Sequence, residues 1–162
     1  MAKSPIAIER YYLSKLRLVL KEEFENGEAE VDLNGEAGPH FGVAVETGQS
    51  ENDLDLWRVS ITVNGGEEDE GFPYSFEIGY VGFFRLAAEL ADDQKQLIAT
   101  VNGPSILFAA AREFLAIATA RTPFAPIMLP SMSFVPNQDW GDKPKSLSAR
   151  KKTPTRRKSA KK

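Results

Sequence analysis

Residues Trp57 to Tyr80 read WRVSITVNGGEEDEGFPYSFEIGY. Trp57, Val59, Ile61 and Val63 alternate with Arg58, Ser60 and Thr62, the period of two expected of a strand with one face against a core. Asn64-Gly65-Gly66 and the acidic run Glu67 to Glu70 form a solvated hairpin tip. Phe72, Tyr74, Phe76, Ile78 and Tyr80 then share one face of the next strand. Working towards the N-terminus, the turn Gly48 to Asn52 precedes a strand from about His40 to Thr47, with Phe41, Val43 and Val45 on one side. Lys21 to Pro39 is an acidic connection carrying Asn26-Gly27 and Asn34-Gly35, and Ile6 to Leu20 reads as the first strand. Four consecutive strands joined by turn signals predict an antiparallel sheet.

Towards the C-terminus the period changes. Leu86, Leu90, Leu97 and Ile98 predict a helix within Arg85 to Val101, and Asn102-Gly103-Pro104 predicts its end. A second helix is expected over Ser105 to Arg121, with Ser105 as N-cap, Ile106, Leu107, Ala110, Phe114, Leu115 and Ala118 on one stripe, and Thr122-Pro123 as the stop. Phe124 to Pro136, punctuated by Pro126, Pro130 and Pro136, should be extended and apolar. Strands followed by helices give an α+β fold, a four-stranded antiparallel sheet with two main helices packed on one face. The expected domain is 1–136. Residues 137–162 form a tail too poor in apolar residues to offset the entropy of ordering, and are expected to be disordered.

Composition narrows the function. There is no Cys, and His40 is the only His, so thiolate chemistry and multi-His metal sites are excluded. No stretch matches a phosphate-binding loop or a dinucleotide fingerprint. Nothing calls for an enzyme, a metal or a cofactor. No signal peptide or apolar span is visible, and a cytoplasmic location is the expectation. Charge is divided unevenly: Lys143 to Lys162 holds ten Lys or Arg and no acid, which leaves ten cations against 23 acids before it, a net of −13. Phe83, Phe84, Phe124, Ile127, Met128, Leu129, Met132 and Phe134 make an apolar surplus around a modest helical pair. Such a surplus implies oligomerisation or an apolar surface offered to clients, for which flexible Met and rigid aromatic side chains are suited.

Two segments carry a family resemblance. Gly103-Pro-Ser-Ile-Leu-Phe-Ala-Ala-Ala-Arg-Glu113, followed by Arg121-Thr-Pro-Phe-Ala-Pro-Ile-Met-Leu-Pro130 and Phe134, resembles the signature half of the SecB export chaperones. Tyr74 to Leu86, with Gly82-Phe83-Phe84, resembles the family's fourth strand, and Ile8-x-Arg10-x-Tyr12 its first. The resemblance implies a homotetramer, a dimer of dimers, that holds unfolded preproteins in apolar grooves without ATP and delivers them to the SecA motor. Phe41, Val43 and Val45 match a strand lining that groove. With Phe124, Met128, Met132 and Phe134 they are the candidate client-binding residues. At the motor-binding positions, Lys15, Val19 and Ser75 depart from the family pattern and only the acid Glu77 remains. The family's last helix has no obvious counterpart after Phe134, and the family's tail is acidic where this one is basic.

Three functions are therefore carried forward: an export chaperone, a SecB-like chaperone dedicated to a toxin–antitoxin module, and a nucleic-acid-associated scaffold acting through its tail. The tail itself is either a solubility appendage or a dock for an acidic partner, RNA or anionic lipid.

Overall fold

The computed structural model describes residues 4–25, 40–69 and 71–136. Strand β1 is Ile6–Leu20, a short 3-10 turn covers Glu22–Phe24, and β2 is Phe41–Gln49. Strands β3, Leu56–Gly65, and β4, Tyr74–Leu86, precede the single long helix α1, Asp92–Thr119. The sheet order is β1-β4-β3-β2, antiparallel throughout, so β1 and β2 are its two edges. The expected tail, 137–162, and most of the acidic connection lie outside the described residues.

β1 is longer than its simple alternation suggests because it contains two bulges. Register shifts fall between Ile8 and Arg10 and between Leu13 and Lys15, so Glu9 and Ser14 are the extra residues. Ile6, Ile8, Tyr11, Leu13, Leu16, Leu18 and Leu20 thereby stay opposite the even-numbered residues of β4 and share one face. The backbone opposite the second bulge must be thin: a Cβ on Gly79 would meet Ser14 Oγ at 2.9 Å.

The predicted break at Asn102-Gly103-Pro104 does not occur. One helix runs through it, Pro104 sits inside, and the first helical residue is Asp92 rather than Arg85, which with Leu86 ends β4. Ser105 is accordingly no N-cap; its hydroxyl donates to Val101 O at 2.6 Å within the helix. The physical reason is a ridge at i, i+4 spacing, Ala99, Gly103, Leu107, Ala111, Leu115 and Thr119, all buried. A Cβ on Gly103 would stand 2.8 Å from Val59 Cγ2, so the helix approaches the sheet closely at the residue read as its breaker. An interior proline costs about 3 kcal/mol, a penalty that burying two fully enclosed leucines, Leu107 and Leu115, at about 1.5–3 kcal/mol each offsets.

The core lies between α1 and the central strands. Val59, Ile61 and Val63 of β3 and Phe76, Ile78 and Phe84 of β4 are all essentially inaccessible. Beyond α1 the chain is extended from Ala125 to Val135, as expected from its prolines. It runs back along the helix, where the buried Thr119 hydroxyl accepts from Ile127 N–H at 2.8 Å and donates to Leu115 O at 2.7 Å. Arg112 Nε donates to Leu129 O at 2.8 Å.

Candidate functional site

The helix-side face of the sheet is apolar from edge to edge, but α1 covers only its centre. On the β2 edge, Phe41, Val43 and Val45 lie opposite Gly65, Val63 and Ile61 of β3. The Phe41 ring stacks on Phe108 of α1, with centroids 6.3 Å apart, and Phe134 meets Phe108 edge-on at 5.9 Å. Strand edge, helix and C-terminal segment thus converge on one aromatic line. Phe41, Val43 and Phe134 are half-buried, whereas Val45 and Met132 are exposed.

The other two candidates lie elsewhere. Ile127 and Leu129 are buried, so Met128 between them projects outwards, 69% exposed. It borders a shallow depression of about 230 Å³ on the outer side of α1, lined by Ala109, Arg112, Glu113 and Ala116. Phe124 packs edge-on against Phe24 and Tyr74, at 5.9 and 6.1 Å, in a separate aromatic cluster. The Tyr74 and Thr122 hydroxyls bond beside it, and Thr122 also donates to Thr119 O.

A second exposed apolar strip, on β1, escaped sequence reasoning. Ile8, Tyr11, Leu13 and Leu16 face the helix side and are uncovered, with Leu16 50% exposed. The Tyr11 ring lies 6.1 Å from Tyr80, whose hydroxyl pKa is raised mainly by burial and further by Tyr11 and Glu113. The spacing 6, 8, 11, 13, 16, 18, 20 was the available signal, obscured by its two one-residue interruptions.

The positions that the family resemblance assigns to motor binding come together on the opposite face of the sheet. Val19 is paired with Ser75, and Lys15 Nζ bonds Glu77 Oε1 at 2.5 Å. Glu77 is thereby engaged in an ion pair with its neighbour, and Ser75 is buried. At the start of β2, His40 donates its backbone N–H to Asp69 Oδ2 at 2.9 Å, and its Nδ1 lies 2.6 Å from Oδ1. The hydrogen bond to Asp69, and then its charge, raise the His40 pKa above the ordinary imidazole value.

Comparison with known proteins matches this arrangement. The family model described as preprotein translocase subunit SecB matches residues 2–136. A protein-export protein SecB of Bradyrhizobium diazoefficiens is 30% identical over 114 residues, 69% of this chain and 70% of that protein. One from Neisseria meningitidis is 30% identical over 132 residues, 79% and 84% of the respective chains. Among solved structures, a SecB-like chaperone of Mycobacterium tuberculosis, in complex with a peptide from the HigA1 antitoxin, has a TM-score of 0.55 at 12% identity. It covers 80% of this chain and 88% of its own, a likeness of fold. With a four-stranded sheet carrying one long helix on one face and a family match that spans all of the described residues, the chain belongs to the SecB family.

Proposed function

We propose that this protein is an ATP-independent chaperone that holds non-native polypeptides against the uncovered apolar margins of its helix-side face. The observation that carries this reading is the continuation of one apolar sheet face past its helix on both edges. Val45 on β2 and Ile8, Tyr11, Leu13 and Leu16 on β1 are exposed where the centre of the same face is closed. An extended client would gain many small apolar contacts there, giving affinity without sequence specificity. Phe41, Val43, Val45, Met132 and Phe134 form the β2-side groove in this proposal, with Met128 and Phe124 as outlying contacts. The same surplus supports assembly into a tetramer, the long open edge of β1 being its natural first contact.

Export of preproteins from the cytoplasm is the first reading, drawn from the named relatives. A chaperone dedicated to an antitoxin is the second, favoured by the Lys15–Glu77 pair, which engages the one acid left at the positions the resemblance assigns to the motor. The test is suppression of aggregation of an unfolded model protein by the full chain, by Val45→Asp and by a chain ending at Asp142. We expect wild type and the truncation to suppress and Val45→Asp to be weaker; a folded Val45→Asp that suppresses fully would remove β2 from the groove. Light scattering that showed a monomer at micromolar concentration would remove the tetramer.

A further inference from the structure

The sheet face turned away from α1 carries a row that none of the preceding chemistry uses. Arg10, Phe83, Arg58 and Gly48 stand directly opposite one another across β1, β4, β3 and β2. The Arg10 guanidinium lies over the Phe83 ring, 4.4 Å from its centroid. Phe83 is half-buried and both arginines are exposed. The other cations around this face are occupied: Lys15 pairs with Glu77, Arg17 with Glu67, and Arg85 with Glu9 and Asp53. Among the described residues, no carboxylate is within ion-pair distance of Arg10 or Arg58. Beside Arg58 and Phe83 lies a depression of about 310 Å³, closed by Leu56, Gly48, Gln49 and Ser50. There is free space over Gly48, since a Cβ there would meet nothing within 4 Å.

We propose that this row docks a short acidic–apolar segment of a partner polypeptide. Its carboxylates would bond the two guanidiniums, and an apolar side chain between them would lie on Phe83 and in the depression. Arginine's planar fork donates two parallel hydrogen bonds to one carboxylate while its flat face remains stacked on an aromatic ring. β1 and β3 are two strand spacings apart, roughly 9.5 Å. Side chains of an extended peptide alternate sides, so positions i, i+2 and i+4 face the sheet together, the outer two roughly 13 Å apart, a span that two long arginine side chains can meet. The complementary segment therefore has two acids four positions apart with an apolar residue midway between them. A nucleic acid fits less well. Two free guanidiniums release few counterions, Glu46 and Glu77 share the face, and residues 1–142 carry a net charge of −13. This surface lies on the face away from the client groove, and the proposal does not rest on that groove.

The test uses the full chain and a fluorescent peptide with two glutamates four positions apart and a leucine midway between them. Controls are its double-glutamine counterpart and an oligouridine RNA. Arg10→Gln with Arg58→Gln should weaken the acidic peptide about tenfold, as expected for two partly exposed charged hydrogen bonds. The paired lysine variants should fall between, because they keep charge but lose the fork. Neither pair should alter suppression of aggregation, which separates failure here from failure of the chaperone reading. Unchanged peptide affinity in the glutamine pair would overturn the proposal and assign the attraction to the ten cations of the tail. Equal binding of the double-glutamine peptide, or RNA binding lost in the same variants, would also overturn it. Should the double variant fail to fold, Arg58→Gln alone is measured against the same peptide, with about a threefold loss expected and no loss overturning the proposal.

Discussion

The centre and the margins of the sheet were built from the same kind of sequence and ended in different environments. Val59, Ile61 and Val63 on β3 alternate with polar residues, and Phe41, Val43 and Val45 on β2 alternate with Gly42, Ala44 and Glu46; Val43 pairs with Val63 and Val45 with Ile61 across the strands. Yet the first set is 0–2% exposed and Val45 is 38% exposed. The difference lies in α1, whose i, i+4 ridge crosses the sheet over β3 and β4 and leaves β1 and β2 mostly bare. Alternation therefore determines which face a residue occupies, and a separate element determines whether water reaches it.

The largest test of this contrast is a core deletion. Phe84→Ala should cost about 3–5 kcal/mol in urea unfolding, since Phe84 is fully enclosed. A loss under about 1 kcal/mol would mean the centre is no better packed than the margins. Next is the close approach of helix and sheet. Gly103→Val should cost about 1–3 kcal/mol by overpacking against Val59, and Val59→Ala in the same chain should recover part of that loss. No recovery would place the strain within the helix rather than at its contact with the sheet.

At the margins, Val45→Asp and Leu16→Asp should each change stability by less than about 1 kcal/mol when measured on dilute monomer. Client holding should weaken in the first. A core-sized loss in the second at concentrations that favour assembly, absent on dilution, would identify the β1 strip as a subunit contact rather than a client surface. The smallest effect is electrostatic. Because the folded His40 pKa is raised by Asp69, the pair's contribution is complete below the unfolded value near 6.5 and is lost as pH rises through the folded value. The urea midpoint of wild type should drift down slightly relative to His40→Gln between about pH 6 and pH 8.5. A wild-type midpoint that rose relative to the variant would contradict the sign of the shift. The pair is exposed, so salt should reduce the effect.

The four strands and the extended final segment were legible because each rests on a local signal: alternation, turn glycines or clustered prolines. The helix was misread as two because Asn102-Gly103-Pro104 is a break by local propensity, and the contact with Val59, 44 residues from Gly103 in sequence, makes a buried glycine favourable there. The candidate groove was legible in part. Phe41 and Phe134 were named together, but the residue joining them, Phe108, sits on the helix and was assigned no part in the groove. Phe124 was grouped with them by proximity in sequence, although Phe24, a hundred residues earlier, is its partner.

The two extra residues of β1 have no partner in the ladder, so a deletion means one thing at these positions and another elsewhere in the strand. Without Ser14, Leu13 would be followed by Lys15 and Leu16 in plain alternation, with Leu13 still opposite Tyr80 and Lys15 still opposite Gly79. Without Glu9, Ile8 and Arg10 would likewise keep Phe84 and Phe83 as partners. Removing a paired residue such as Tyr12 would instead turn Arg10 and Tyr11 to the opposite faces relative to Leu16, Leu18 and Leu20. A gap of one residue between related chains at position 9 or 14 therefore signals a straighter strand with unchanged faces, and a gap anywhere else in β1 signals a change of face.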